Sequence, residues 1–473
     1  MAYHRIISST LRIPMDVSVP VPVGLLACQR DPFLKDLETH VITCDPSLGI
    51  EPSKDKKKAQ PASQELGESI FELLLHDTIL FPEGGGQPSD IGYIKCEDGS
   101  CWDVLEVKRR GGLAIRYITG NAEAILQSLI PGVHITVALG KVGFERRYDH
   151  MCMHTSQHLI SALLETRLNL PTPSWYLTKY PNPAYVEVPR APTAEELQMI
   201  EDAANEYCVQ GTRLHVEVEE LNDMPLSAGS RNASKGLPID YAGGVNRTVV
   251  IENVDRNSCC GTHLPTLLGL TVFIVPQTEP LSRGRSRIFF CAGPRVRACL
   301  SRTHNLLTAA ATTYGCAPDQ VSERFAFETD GRRKAYKRVE ELESEVAGFV
   351  VRDLQEERRR SSNSGPYRFA TFRHRYDSST NPLGLLTMIH SAWSASPASS
   401  APYLIVLVSS GIRTFSNSAV ILVFGSDEEV KELSDKLKRN GIKGGGRAGR
   451  WSGKTDNWKA VGGDAWLKGL LDC

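Results

Sequence analysis

Residues Glu145–Leu168 read ERRYDHMCMHTSQHLISALLETRL, and their spacing decides how the rest of the chain is understood. Leu159, Ile160, Leu163 and Leu164 follow the repeat of an amphipathic helix, expected to be buried on one face only. His154 and His158 lie one turn apart on that helix, so both rings can point at a single ion. Further on, VDRNSCCGTHLP carries a second pair with the same spacing, Cys259 and His263. Three imidazoles and one thiolate make a tetrahedral zinc set. A helical histidine pair alone is more often structural; the two pairs together point to metal.

Outward from this helix, the chain divides by composition. At 473 residues it exceeds one ordinary core. With 41% apolar and 23% charged residues it has the make-up of a globular protein, and no apolar run approaches a membrane span. A net charge of −1 leaves nucleic acid open, because binding depends on local patches. Twelve scattered cysteines favour reduced thiols in an intracellular, cytoplasmic protein over a disulfide framework. His4, Arg5 and Arg12 precede the first acid, Asp16, a pattern a cryptic organellar presequence would share; shortness and Pro14 weigh against one.

The expected fold class is multidomain α+β. After an extension over 1–27, residues 28–140 contain short strands between turns, typical of a small β-barrel. Within them, LGIEPSKDKKKAQPASQELGE at 48–68 is a polar loop. Residues 141–292 read as an α+β domain bearing the metal, in which Thr193 caps a helix and Glu196 completes a capping box. Residues 293–360 are helical, and Val339, Leu342, Val346 and Phe349 form a seam for an antiparallel or self-associating helix. A linker at 361–366 precedes an α/β domain over 367–473.

HTSQHL followed by CCGTH resembles the editing domain of alanyl-tRNA synthetase and its free-standing relatives, the AlaX-type alanyl-tRNA editing proteins. FPEGGGQPSDIG at 81–92 is similar to that family's glycine-rich motif, and IKGGGRAGRWSGK at 442–454 to the glycine-rich segment of the synthetase's C-terminal domain. The matches run in the family's order from about residue 28 to the end. The resemblance makes 141–292 a zinc-dependent editing domain, with Zn2+ on His154, His158, Cys259 and His263. The family uses neither His150 nor Cys260. It implies a trans-editing hydrolase that removes serine, or glycine, from mischarged tRNA(Ala). The alternatives are a deacylase of another mischarged tRNA such as Ser-tRNA(Thr), or a non-catalytic zinc-stabilised module that binds RNA or protein. No class II aminoacylation core precedes the editing region, so the chain is not a synthetase. TPSWYLTKYPNPAYVEV lacks a glutamine that the synthetase has at a comparable place.

The chemistry fits a defined need. A pocket for alanine rejects glycine poorly, since one methyl is worth about 1–3 kcal/mol, and excludes serine hardly better. A second site that hydrogen-bonds the serine hydroxyl discriminates the other way, because alanine leaves its polar groups unpaired. Thr155, beside a ligand, is expected to make that contact as the catalytic-site residue; the plain alternative is a backbone bond within its helix. Metalloproteases place Glu after the first histidine, and Thr155 stands there instead, which counts against peptidase chemistry. Gly84, Gly85, Gly86 and Gln87 suit either a tight barrel turn or a backbone cradle near the tRNA end. No P-loop run occurs.

Three basic segments suggest contact with tRNA. They are Arg146 and Arg147, then Arg283, Arg285 and Arg287, then Lys443, Arg447, Arg450 and Lys454 amid glycines, with Trp451 placed to stack on bases. The expected partner is tRNA(Ala) carrying serine or glycine, with no membrane and with oligomerisation through the helical seam.

Overall fold

The computed structural model describes residues 3–47, 69–221, 244–362, 369–376, 381–411 and 417–471. The polar loop at 48–68 and residues 363–366 of the expected linker lie outside the described residues. The chain forms two units, Met1–Leu307 and Thr308–Cys473, divided within a helix.

The first unit opens with strand β1 (His4–Ile6) and the one-turn helix α1 (Ala27–Arg30). Strands β2 (Asp36–Pro46), β3 (Ser69–Leu75), β4 (Gly92–Cys96), β5 (Cys101–Arg110) and β6 (Leu113–Gly120) follow, then helix α2 (Ala122–Ser128) and β7 (His134–Ala138). These six strands from β2 to β7 close into a barrel in the order β2-β3-β6-β5-β4-β7. Alternate residues face inward, as in Phe71, Leu73 and Leu75 of β3, all buried. Closure leaves no exposed edge on these strands.

Helix α3 (Gly140–Leu168) leaves the barrel and ends at Asn169, whose left-handed conformation (φ 53°) stops it. The remaining elements are β8 (Ser174–Tyr176), β9 (Ala184–Val188), α4 (Ala194–Val209), β10 (Leu214–Glu220), β11 (Val245–Ile251), β12 (Asp255–Ser258), β13 (Val272–Pro280), β14 (Ser286–Ala292) and α5 (Pro294–Tyr314). They build two sheets, β1-β10-β11-β12 and β13-β14-β9-β8. Thr193 and Glu196 form the expected capping box on α4. Residues 4–6, read as extension, pair in parallel with β10.

The expectation of one buried face on α3 fails. Every residue from Asp149 to Leu164 is buried, because α4 and strands of both sheets surround the helix. Its polar residues need internal partners. Asp149 takes a bidentate pair from Arg295 of α5 at 2.9 and 2.8 Å, both side chains being buried. One continuous apolar core runs from Val21 to Ala292, so barrel and sheets hold the helix rigidly.

In the second unit, α6 (Val321–Ser362) precedes β15 (Phe369–Tyr376), α7 (Pro382–Ser394), β16 (Tyr403–Ser410), β17 (Ala419–Gly425), α8 (Asp427–Arg439), β18 (Lys443–Arg447), β19 (Arg450–Thr455) and α9 (Gly463–Leu471). The sheet order is β15-β16-β17-β19-β18, with only β15 and β16 parallel. Both faces are covered. Val406, Ile421 and Val423 meet α8, Trp451 and Trp458, while Leu407, Leu422 and Phe424 meet α7 and the end of α6. The buried side of α6 is Ala347, Val351 and Leu354; Val339, Leu342 and Phe349 are exposed. Trp451 is 3% exposed and belongs to the core, so it is no stacking aromatic. Its neighbours are glycine for its sake: a Cβ on Gly444 or Gly453 would lie 2.5 or 2.2 Å from its ring.

Candidate metal centre

Two pieces of backbone build the centre. Helix α3 presents His154 and His158 with ring centroids 5.2 Å apart. The segment after β12 presents Cys259 and His263, and one donor atom from each of the four lies within 4.8 Å of the others. Cys259 Sγ is 3.4 Å from both His154 Nε2 and His263 Nε2. Donors held by one tetrahedral zinc at ~2.0–2.3 Å stand roughly 3.3–3.8 Å apart, so these edges have the right length. His150 and Cys260 take no part in the cluster.

The electrostatics agree. Burial, and then the neighbouring imidazoles, push His154 and His263 well below the ordinary histidine range, so both rings are neutral at physiological pH. Burial pushes the Cys259 thiol up to about 12. A thiolate in this cavity therefore needs a cation beside it, and Gly261 N–H already points at the sulfur from 3.4 Å.

An oxygen faces each histidine ring from behind, within hydrogen-bond distance for His154 and His263 and farther off for His158. Gln87 Oε1 lies 3.0 Å from His154 Nδ1, Thr155 Oγ1 lies 3.4 Å from His263 Nδ1, and Asp255 Oδ2 lies 3.6 Å from His158 Nδ1. A ring whose Nδ1–H faces such an acceptor turns the Nε2 lone pair to the metal. Gln87 does more: its Oε1 accepts Thr262 N–H at 3.0 Å and its Nε2 donates to Thr262 Oγ1 at 2.8 Å. The glycine-rich loop is thus clamped onto the ligand loop. A Cβ on Gly261 would fall 2.4 Å from the His154 ring, and one on Gly86 would fall 2.4 Å from Trp175. Trp175 in turn covers His154 at 5.0 Å between centroids.

No protein-family model matches the chain. Alanyl-tRNA editing protein Aarsd1 of Bos taurus is 38% identical over 297 residues, 62% of this chain and 60% of its own length. The Danio rerio protein of the same name is 29% identical over 439 residues, covering 91% of this chain and 93% of its own. The chain is similar to the AlaX-type alanyl-tRNA editing proteins over most of its length. It spans about 60% of the bovine relative. An alanine–tRNA ligase of Thermococcus kodakarensis is 28% identical over 286 residues, 60% of this chain and 30% of the ligase.

The other expected site residues separate. Arg147 is fully buried, paired with Asp90 and donating to the carbonyls of Pro32 and Ile79, so its charge is used inside the protein and not on tRNA. Arg146 is half-buried and donates to the Ser89 carbonyl at 3.1 and 3.0 Å. Gln87 is wholly buried, while Gly85 and Gly86 keep an exposed side. Lys443 and Arg447 lie on the exposed strand β18 and Lys454 is exposed on β19, whereas Arg450 is half-buried and donates to Thr387 Oγ1 at 2.9 Å.

Four residues escaped the sequence reading. Asp255, four before Cys259, left a faint signal in its spacing. Trp175 left none. Tyr3 accepts His263 N–H at 3.1 Å, and burial pushes its phenol up to about 12. Arg247, buried, donates to the Cys260 carbonyl at 3.2 Å, which also accepts Gln29 Nε2 at 2.7 Å.

Proposed function

We propose that this protein is a trans-editing hydrolase that cleaves the ester joining a wrong amino acid, chiefly serine and also glycine, to tRNA(Ala). The observation that carries the reading is the convergence of four metal-ligating side chains, each histidine facing an oxygen, in the order that the editing family's motifs follow. His154, His158, Cys259 and His263 would hold zinc, which when bound would supply Lewis-acid assistance to the ester carbonyl or the attacking water. Water adds to the carbonyl, the bond to the ribose oxygen breaks, and free amino acid leaves with the tRNA hydroxyl restored.

Thr155 reads the amino acid. Its Oγ1 accepts Leu264 N–H at 3.1 Å and, when Nε2 of His263 faces the metal, the Nδ1–H as well. Both lone pairs are then engaged and the hydroxyl's own proton remains to be donated. A serine side chain accepts it; an alanine side chain leaves it unpaired in a dry site, which disfavours the correct ester. Exposed Lys443, Arg447 and Lys454 add affinity for the tRNA backbone. The test is hydrolysis of Ser-tRNA(Ala), Gly-tRNA(Ala) and Ala-tRNA(Ala) side by side, by wild type and His154→Ala. Loss of the mischarged species only, abolished by the substitution, is expected. Zinc binding without hydrolysis of any of the three would refute it in favour of a binding module.

A further inference from the structure

Sheet β13-β14-β9-β8 has two unlike faces. Trp175, Val186 and Ile288 stand in one cross-strand row, turned inward; Val186 and Ile288 are fully buried and Trp175 lies against His154. The adjacent row is Tyr176, Tyr185 and Phe289, which alternation turns outward. Tyr176 is 49% exposed, and Tyr185 and Phe289 are half-buried. Their ring centroids follow at 6.0 and 5.8 Å. Beside them, the Arg287 guanidinium lies 4.5 Å from the centre of the Tyr185 ring. Glu187 at 3.1 Å and Glu279 at 3.5 Å hold it there. Arg285 shares Glu187 at 3.4 Å, and Arg283 follows on the same connection.

We infer that this outer face is a stacking platform for the unpaired 3′ end of the tRNA whose ester enters the metal centre. The inference rests on the editing reading above. Three features select the occupant. A row of partly exposed rings with a guanidinium over one of them is what unpaired bases stack on; a paired A-form stem offers phosphates and riboses instead. Three arginines against two glutamates leave the connection positive, which suits a polyanion. The edge strand β8 joins platform and centre directly, since Tyr176 lies outside and its neighbour Trp175 covers His154. A strand end running over this edge would deliver its last nucleotide to the ligand set.

The probe is a fluorescent, unacylated oligoribonucleotide with the sequence of the unpaired acceptor end, titrated into full-length wild type, Tyr176→Ala, Tyr185→Ala and Tyr176→Phe. One stacked base is worth ~1–3 kcal/mol, so each alanine variant should bind about 5- to 150-fold more weakly, while Tyr176→Phe retains wild-type affinity. The KM for Ser-tRNA(Ala) should rise by a matching factor at unchanged kcat, and hydrolysis of a seryl ester of adenosine should not change. Zinc content equal to wild type serves as the check on folding. Unchanged oligonucleotide affinity and an unchanged KM in Tyr176→Ala overturn the platform and leave the editing reading standing. A wild type that neither binds the oligonucleotide nor hydrolyses Ser-tRNA(Ala) overturns both.

Discussion

Replacing Gln87 by leucine is the sharpest test of how the centre is held. The side chain is fully buried, and its Oε1 is the acceptor for both His154 Nδ1 and Thr262 N–H. Leucine has similar bulk and no acceptor, so two buried donors lose their partner at a cost of about 1–3 kcal/mol each. Part of that cost falls on the fold. The rest falls on the metal, because an unrestrained His154 turns freely between its two nitrogens. Loss of an outer hydrogen bond to a metal-bound histidine typically weakens metal affinity by about 10- to 100-fold. Gln87→Glu should restore most of it, since the carboxylate keeps the acceptor and the Thr262 hydroxyl can rotate to donate. The assay is competition for zinc against a chromophoric chelator, with cobalt absorption reporting whether the site stays tetrahedral. Wild-type zinc affinity in Gln87→Leu would refute the reasoning, as would a glutamate variant no better than the leucine one.

Other consequences are equally open to measurement. Cys259→Ala should abolish tight zinc binding and hydrolysis together, as read by metal analysis of purified protein, whereas Cys260→Ala should keep the metal. Thr155→Val removes the proton offered to serine and the acceptor behind His263 Nδ1, so zinc affinity should weaken and, with zinc supplied to saturation, kcat/KM for Ser-tRNA(Ala) should still fall about 10- to 100-fold, the loss of one hydrogen bond in a dry site. Lys443→Glu combined with Arg447→Glu should lower tRNA affinity and reduce its salt dependence by about one ion for each phosphate no longer neutralised, leaving hydrolysis of a seryl-adenosine ester intact. His150 bears on acid stability. Burial first, then Arg146, Arg295 and Arg147, lower its pKa from 6.5 to about 3. The unfolded chain then binds a proton that the folded chain refuses. Stability is therefore complete above about pH 6.5 and declines at up to about 1.4 kcal/mol per pH unit as pH falls towards 3. Denaturant titrations of His150→Gln should show a shallower decline across that window; an unchanged slope would remove His150 from the account.

Which parts of this protein are readable from its sequence follows from how local each interaction is. His154 and His158, or Cys259 and His263, state their shared direction through spacing alone, because one helical turn or one short loop fixes it. Barrel strands such as β3 are readable for a similar reason, since alternation reports one buried face, whereas β6 is buried at five successive positions, Ala114 to Ile118. On α6 the pattern reports only part of the packing. Val339, Leu342 and Phe349 have the spacing of a seam and are exposed on this chain, while Ala347, Val351 and Leu354 are the residues buried with α7. Trp451 misleads. An aromatic among glycines and basic residues suggests RNA, whereas those glycines are spaces cut for its ring.

The outer contacts of the metal centre are the least readable part, and they explain the glycine-rich motif best. Gln87 is 67 residues from His154, and Thr155 is 108 from His263. Nothing in local composition says that they meet. Gly-Gly-Gly-Gln invites comparison with a phosphate cradle. In the fold, Gly85 would clash with Cys260 if it carried a side chain, Gly86 would clash with Trp175, and Gln87 grips Thr262 and His154 at once. The glycines are small so that the barrel loop can come near enough for Gln87 to reach the ligand loop. On this geometry the motif is part of the metal centre, and changing any of its members should be felt first in zinc affinity and only afterwards in binding of tRNA.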